Sequence, residues 1–322
     1  MQDRLIVMST TLQEPQLRWL EERFPQFRFR SYARKQLPPK EELAACEVLF
    51  NYGGSNQIQD LENCRFIHTM SAGIDGYLEA IEQKFGPGFP FTNGAGVYNV
   101  TLGEHTVALL LACLRGLVKS AQVMPSGRWA TDEIRVLGQI HGSTIAILGT
   151  GDIGNHAARA LKAFGPARLL GYKLNPCPVF APYDEILTGP EGLRSALERA
   201  DYVLVCLPGS PYTKGLIGRE QFQQLRPGAG LVNIGRGSIV DTQAMTEALA
   251  SGRLAFAAMD VTDPEPLPAD HPLWRMENVL ITPHYAGLYA SLQRHAEWFA
   301  ENLQAFLDGK PLPGAVNAAW RY

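Results

Sequence analysis

Hydrophobic residues along this chain occur in short runs that alternate with stretches of helical spacing. Short runs rich in β-branched residues are typical of buried strands, whereas apolar residues three or four positions apart are typical of one face of a helix. In the first hundred residues this pattern predicts strands at 5–8, 27–32, 47–52 and 65–70 and helices at 12–24 and 40–46. Because strands and helices alternate, we expect these residues to form a parallel sheet.

The alternation continues beyond a long helix that we predict from near Thr101 past Leu117. Further strands are predicted at 144–148, 167–172, 200–207, 230–234, 255–259 and 279–282. Further helices are predicted at 153–164, 192–199, 219–225, 242–251 and 287–308. Since 322 residues exceed the length of one typical domain, we expect two domains, with a boundary at the long helix.

One stretch carries a recognisable binding motif, G-T-G-D-I-G at 149–154. A β-branched apolar strand precedes it, and a helix with an apolar face follows it as far as Gly165 and Pro166. In such a unit the first glycine permits the tight turn, the second allows phosphates to approach the backbone, and the third lets the helix lie close to the sheet. The motif alone recurs by chance, but in this context it predicts that the pyrophosphate of a dinucleotide binds at the helix N-terminus.

Composition and charge argue against several classes of protein. Hydrophobic residues make up 46% and charged residues 19% of the chain, which is ordinary for a globular protein with an ample core. The formal charge of −3 leaves no basic excess for binding nucleic acid, and the longest apolar run, 107–114, is too short to span a bilayer. Five scattered cysteines without a C-x-x-C pair, and no signal-peptide pattern, lead us to expect a cytoplasmic protein. No His, Cys or carboxylate spacing matches a metal site.

Ionisable side chains follow three of the predicted strands. Arg236, Asp260 and His284 come just after the strands at 230–234, 255–259 and 279–282. Ligands of open parallel sheets bind outside the carboxyl ends of the strands, so these side chains should converge on the cofactor pocket. Glu265 follows in a proline-rich loop. An imidazole that donates a proton, a carboxylate that keeps it protonated and a guanidinium that grips a carboxylate suit hydride transfer to a 2-oxo acid.

Each of these residues also has an interpretation without function. Arg236 could be a surface arginine in a Gly-Arg-Gly turn, Glu265 a solvated loop residue and His284 a histidine of the core. The functional interpretation depends on all of them occurring in order after strand ends. We interpret His105, on the long helix, and His68 as structural.

In its motifs the chain resembles the D-isomer-specific 2-hydroxyacid dehydrogenase family over nearly its whole length. The shared motifs are S-A-G-I-D at 71–75, the glycine turn, Leu207 and Pro208 with Thr213 and 216–217, N-I-G-R-G at 233–237 with 240–241, Asp260-Val261 with Glu265-Pro266, and T-P-H at 282–284. The resemblance implies an α/β fold of two doubly wound parallel-sheet domains. A Rossmann nucleotide-binding domain (100–285) would be inserted into a flavodoxin-like substrate-binding domain (1–99 and 286–322). It also implies a homodimer.

The resemblance further implies a role for each matching position. His284 resembles the acid/base, Glu265 its carboxylate partner and Arg236 the anchor of the substrate. The main chain at Ala72 and Gly73 would hold the substrate carboxylate, and Asp260 would meet the nicotinamide carboxamide. The positions implied to bind the cofactor are Thr101, Gly149, Gly151, Asp152, Ile153, Gly154, Leu207, Pro208, Thr213, Ile234, Asp260 and His284.

One position departs from the family pattern. An acidic residue that binds the ribose 2′-hydroxyl is expected about 20 residues beyond the glycines, but position 173 is a lysine and no Asp or Glu lies between 153 and 183. A cation at Lys173 favours a 2′-phosphate, so we predict NADP(H) as the preferred cofactor, with NAD(H) as the alternative. This is similar to the glyoxylate/hydroxypyruvate reductase branch, although those relatives usually have a serine and an arginine here. The other interpretation is a solvated lysine without effect on the choice.

Three functions compete. The first is an NAD(P)H-dependent reductase of small 2-oxo acids to D-2-hydroxy acids, of the glyoxylate/hydroxypyruvate type. The second is a nucleotide-sensing binding protein or corepressor that keeps the fold without turnover, and the intact set of Arg236, Glu265 and His284 speaks against it. The third is a phosphoglycerate or phosphite dehydrogenase on a similar frame.

Overall fold

A computed structural model describes residues 4–34, 36–51, 54–134, 136–288 and 290–317. The chain divides into two compact units. The first comprises residues 1–98 and 289–322, and the second comprises residues 99–288. The second unit is therefore inserted into the sequence of the first.

The first unit is built on a five-stranded parallel sheet. Its strands are β1 (Arg4–Thr10), β2 (Phe27–Ala33), β3 (Val48–Asn51), β4 (Phe66–Thr69) and β5 (Phe91–Thr92), in the spatial order β2-β1-β3-β4-β5. Its first three helices are α1 (Glu14–Arg23), α2 (Lys40–Ala45) and α3 (Tyr77–Phe85). This strand order is that of flavodoxin-like folds.

The second unit is built on a seven-stranded parallel sheet. Its strands are β6 (Thr144–Leu148), β7 (Arg168–Lys173), β8 (Glu185–Thr188), β9 (Tyr202–Val205), β10 (Ala229–Asn233), β11 (Leu254–Met259) and β12 (Val279–Ile281). Its helices are α4 (Asn99–Leu114), α5 (Leu117–Val123), α6 (Asp152–Lys162), α7 (Gly189–Arg199), α8 (Arg219–Gln224) and α9 (Thr242–Ala250). The spatial order is β12-β11-β10-β9-β6-β7-β8, so the direction of winding reverses between β6 and β9. Ligands of such sheets bind outside the carboxyl ends of the strands at this reversal.

Helices cover both faces of each sheet, which is why the central strands are continuous apolar runs. In the second unit α4 and α6 cover one face and α7, α8 and α9 cover the other. In the first unit α2 and α3 cover one face. The opposite face is covered by α1 and by the last helix, α10 (Leu292–Leu307), which buries Phe299 against Phe50 and Phe66. The predicted α/β fold with two doubly wound parallel sheets is confirmed.

The structure corrects several predicted elements. The long helix is broken at Gly116, whose φ of 68° lies in the left-handed region, so that α4 and α5 are separate helices. The last helix begins at Leu292 and not at 287, because Ser291 accepts the N–H of Arg294 and caps it. The sequence patterns missed α3, β5 and β8. β5 has only two residues, and all four residues of β8 are half-buried, so neither has the apolar run that identifies a central strand.

Among the described residues, no single helix has both the length and the hydropathy of a membrane span; α4 together with residues 117–126 passes that test only as a pair bent by 68°. The five cysteines are all free thiols. Cytoplasmic location stays a prediction.

Candidate active site

The three strand-end residues belong to neighbouring strands. β10, β11 and β12 are adjacent and parallel, so their carboxyl ends meet at one edge of the sheet. Arg236, Asp260 and His284 stand just beyond these three ends. The sheet therefore brings a guanidinium, a carboxylate and an imidazole to the same edge, as the sequence predicts.

His284 and Glu265 form a direct pair. His284 Nδ1 lies 2.6 Å from Glu265 Oε1, and the two side chains are 49% and 43% exposed. A carboxylate can only accept, so Nδ1–H donates to Glu265. The other ring nitrogen, Nε2, is then the atom that can carry a proton to a ligand. Neither side chain is a core residue, which excludes the interpretation of His284 as a buried structural histidine.

The backbone of His284 adopts a conformation that is uncommon for a residue with a side chain. Its φ is 51°, in the left-handed region. Its N–H donates to the carbonyl oxygen of Asp260 at 2.9 Å and to that of Thr282 at 3.0 Å. These bonds offset the cost of the conformation, which is on the order of 1 kcal/mol or more.

Asp260 holds the loop that carries His284. Its carboxylate is 3% exposed and accepts the hydroxyl of Thr282 at 2.6 Å. It also accepts the backbone N–H groups of Tyr285 at 3.2 Å and Ala286 at 3.1 Å. Asp260 therefore binds the loop on both sides of His284. A contact between Asp260 and a nicotinamide carboxamide stays a prediction.

Arg236 lies in a turn that is held between two other loops. A Cβ on Gly235 would come within 2.3 Å of the carbonyl oxygen of Leu207, and one on Gly237 within 2.0 Å of that of Thr262. Only glycine allows these approaches. The half-buried Arg236 guanidinium donates through Nη1 to the carbonyl of Gly235 at 2.9 Å. The Gly-Arg-Gly motif thus fastens the arginine between the loop at Leu207 and the loop that leads to Glu265.

The glycine turn has the shape that a pyrophosphate requires. Gly149 has a φ of 106°, in the left-handed region, and its N–H donates to the carbonyl oxygen of Tyr172 at 2.8 Å. A Cβ on Gly154 would lie 2.0 Å from the carbonyl oxygen of Gly149, so only glycine fits there. By contrast, a Cβ on Gly151, at the N-terminus of α6, would point into open space. The buried hydroxyl of Thr150 has no hydrogen-bond partner among the described residues. An open approach to free N–H groups beside an unpartnered polar atom fits the phosphates of a dinucleotide.

The other predicted cofactor positions lie at strand ends or helix starts of the second unit. Asp152 and Ile153 form the first turn of α6, Thr101 lies in the first turn of α4, and Lys173 ends β7 beside the glycine turn. Leu207 and Pro208 follow β9, and Ile234 follows β10. Thr213 is fully buried, and its hydroxyl donates to the carbonyl oxygen of Pro208 at 2.7 Å, so its side chain holds the loop. A contact between Thr213 and a cofactor stays a prediction.

Ala72 and Gly73 lie in the first unit, in the loop that follows β4. Both are half-buried, and the Asn93 side-chain amide donates to the carbonyl of Ala72 at 2.8 Å. Their role in holding a substrate carboxylate stays a prediction.

The sequence patterns missed two members of the network around Asp260. His105 Nε2 lies 3.1 Å from Thr282 Oγ1 and 3.6 Å from Asp260 Oδ1. Only a weak signal points to His105, a polar residue on a mostly apolar helix, and Thr282 is noticed only as part of the T-P-H motif. Because His105 is far from Asp260 in sequence, their contact depends on how α4 packs against the sheet.

Comparisons with known proteins identify the family of the chain. A model of the D-isomer specific 2-hydroxyacid dehydrogenase family, for its NAD binding domain, matches residues 107–286. A glyoxylate reductase of Korarchaeum cryptofilum is 37% identical over 257 residues, which are 79% of this chain and 76% of that protein. The glyoxylate reductase/hydroxypyruvate reductase of Homo sapiens is 34% identical over 260 residues, 79% of this chain and 77% of that protein.

Solved structures give the same result. A D-isomer specific 2-hydroxyacid dehydrogenase from Xanthobacter autotrophicus Py2, in complex with NADPH and MES, is 25% identical, covers 100% of both chains and has a TM-score of 0.79. The family match spans more than half of this chain, and the resemblance found in its motifs is confirmed. The chain belongs to the D-isomer specific 2-hydroxyacid dehydrogenase family and is an NAD(P)-dependent oxidoreductase of that family.

Proposed function

We propose that the protein reduces small 2-oxo acids of the glyoxylate and hydroxypyruvate type to D-2-hydroxy acids. The observation that carries the proposal is the pairing of His284 with Glu265 beyond the carboxyl end of β12, which leaves Nε2 of the imidazole available for proton transfer. The two curated relatives described above bear the names of these reductases. A nucleotide sensor has no need of such a pair.

Each residue has a distinct task in this reaction. When bound, a reduced nicotinamide cofactor supplies the hydride. His284 Nε2–H donates the proton to the carbonyl oxygen of the substrate, and the carboxylate of Glu265 stabilises the protonated ring before transfer. Arg236 binds the substrate carboxylate through two parallel N–H donors, which fixes its orientation as well as its charge.

NADP(H) is the cofactor that we propose the enzyme prefers. Lys173 is half-buried at the end of β7, beside the glycine turn, and it forms no ion pair within the described ranges. An ammonium group there attracts a 2′-phosphate, whereas the ribose hydroxyls of NAD(H) would lack a carboxylate partner.

The function is tested by following the oxidation of NADPH and NADH with a panel of 2-oxo acids that includes glyoxylate, hydroxypyruvate and pyruvate. We expect turnover of at least one small 2-oxo acid. His284→Ala should lower kcat by about 10²- to 10⁴-fold, because the variant lacks the proton donor but keeps the cofactor site. His141→Ala, which removes an exposed histidine elsewhere in the second unit, is the control and should leave kcat unchanged.

Two results would contradict the proposal. If the parent binds NADPH tightly but reduces no 2-oxo acid, the sensor hypothesis is favoured. If His284→Ala retains kcat within a factor of about three of the parent, His284 is not the acid.

We further propose a homodimer that forms through α5 and the segment after it. Leu117, Met124, Trp129 and Val136 are large apolar side chains of this region that are 52–97% exposed in the single chain. Such clustering is typical of a protein–protein interface. Light scattering should give the mass of two chains at micromolar concentration; a mass near 35.4 kDa would contradict the proposal.

A further inference from the structure

The loop that carries His284 is held by a hydrogen-bond chain that begins on another element of the second unit, helix α4. Thr282 Oγ1 lies 2.6 Å from Asp260 Oδ1, and His105 Nε2 lies 3.1 Å from Thr282 Oγ1. The His105 side chain is 16% exposed, and its ring meets the ring of Tyr285 edge-on at 5.3 Å. The imidazole therefore contacts the residues on both sides of the Pro283-His284 step.

The direction of each hydrogen bond in this chain follows from the groups involved. A carboxylate only accepts, so at 2.6 Å the single hydroxyl hydrogen of Thr282 is directed at Asp260. The Thr282 oxygen can then only accept from His105, whose Nε2 must carry a hydrogen. That same N–H lies 3.6 Å from Asp260 Oδ1, close enough to add a favourable dipole beside the buried carboxylate.

Asp260 is the residue of this hydrogen-bond chain that contacts the backbone of His284. Its carboxylate accepts the N–H groups of Tyr285 and Ala286, and its carbonyl oxygen accepts the N–H of His284. Without the Thr282 hydroxyl, Asp260 Oδ1 would keep only the N–H of Tyr285, so the carboxylate would be held less firmly. The left-handed backbone at His284 is held by its bond to the carbonyl oxygen of Asp260 and would relax as Asp260 moves.

We propose that His105 and Thr282 are positioning residues for the reaction: they fix the Asp260 carboxylate, and Asp260 fixes the loop that aims His284. This role rests on the proposed function, since it concerns the delivery of a proton to the substrate. In this role His105 contacts neither the substrate nor the reacting atoms. It acts by setting where the His284 ring points.

Two substitutions test the chain of bonds. Thr282→Val removes one hydroxyl and keeps the shape of the side chain, and His105→Phe keeps a ring but removes the N–H donor. Both should lower kcat for 2-oxo acid reduction by about tenfold to a hundredfold, because small displacements of a catalytic group are costly. The KM for the 2-oxo acid and the Kd for NADPH should stay within about threefold of the parent.

Rescue and control variants separate positioning from general damage. His105→Gln places an amide N–H at about the reach of Nε2 and should restore kcat to within about threefold of the parent. His141→Gln changes an exposed histidine, and Thr246→Val removes a hydroxyl that bonds only within α9; both should behave as the parent. If His105→Phe does not fold, Thr282→Val alone decides the outcome.

A second readout does not depend on activity. Hydrogen exchange of peptides that cover residues 282–288 should be faster in Thr282→Val and His105→Phe than in the parent, and unchanged in the two controls. Unchanged exchange, a kcat within a factor of about two of the parent, or failure of His105→Gln to restore kcat would each overturn the inference. A parent that reduces no 2-oxo acid but whose variants exchange faster would refute the proposed function and leave the hydrogen-bond chain in place.

Discussion

At the scale of single residues, the site is built from side chains that are fixed through their backbones. His284 takes its direction from a φ of 51° and from two main-chain acceptors, and Glu265 is then 2.6 Å away. The pair is half-exposed, so the attraction between the charges is weakened by water. The value of the pair therefore lies in fixing the orientation of the imidazole.

Glu265→Gln tests this view through the rate of the reaction. The amide oxygen can still accept from Nδ1, but a neutral acceptor holds the ring less firmly than a carboxylate does. We expect kcat for 2-oxo acid reduction to fall about tenfold, while the Kd for NADPH stays within about threefold of the parent. Glu277→Gln, which changes a carboxylate paired with Lys119, is the matched control, and a kcat of Glu265→Gln that equals that of the control would show that the pair has no such effect.

The sequence could identify the residues that follow the strands but not the contacts that hold them in place. Arg236, Asp260 and His284 were predictable because each follows an apolar run and parallel strands end at one edge of a sheet. The part that His105 and Asp260 play in holding the loop was not predictable. The contacts of His105 join it to residues more than 150 positions away, those of Asp260 join it to residues 22 to 26 positions away, and no local pattern of the chain encodes either set.

At the scale of elements, strands with continuous apolar runs were predictable and short edge strands were not. β6 and β9 are buried on both faces and stand out in the sequence, whereas β8 is half-buried throughout. The break between α4 and α5 was missed because Gly116 lies inside an apolar helical pattern that continues on both sides. The end of β7 was predictable to within a residue, and it places Lys173 next to the glycine turn.

Lys173→Asp tests what the end of β7 contributes. The carboxylate would remove the attraction for a 2′-phosphate, repel it, and offer an acceptor to ribose hydroxyls. We expect kcat/KM for NADPH to fall at least about tenfold, which corresponds to about 1.4 kcal/mol, while the value for NADH stays the same or rises. The parent's preference for NADPH should also shrink as salt rises.

Lys310→Asp makes the same change of charge on an exposed lysine of the first unit and should alter neither value. A parent enzyme that already prefers NADH would show that Lys173 is only a solvated lysine.

At the scale of the whole molecule, each unit has its own core, and the first carries two buried histidines. His68 is fully buried between Phe50 and Phe299, and its Nδ1 meets the hydroxyl of Thr92 at 2.7 Å. His295, on α10, is 2% exposed. Burial, with a smaller contribution from repulsion by His295, lowers the pKa of His68 to about 3, and burial lowers the pKa of His295 to about 4. Both rings are therefore neutral in the folded chain at neutral pH.

This makes the first unit sensitive to acid in a predictable direction. The unfolded chain titrates its histidines near pH 6.5 and so binds protons before the folded chain does as the pH falls. The stability that comes from a neutral His295 is complete above about pH 6.5 and is lost as the pH falls towards about 4. At about pH 5 the loss of unfolding free energy from this one residue is about 2 kcal/mol.

His295→Phe keeps a ring beside Tyr98 and removes the titrating group. It should therefore reduce the fall in unfolding free energy between about pH 7 and pH 5 by that amount. Urea unfolding at both pH values, followed by hydrogen exchange of peptides from β4 and α10, measures this for the first unit alone. His141→Phe, at an exposed position, should leave the fall as large as in the parent; an equally large fall in His295→Phe would mean that His295 is already protonated in the folded chain at pH 5.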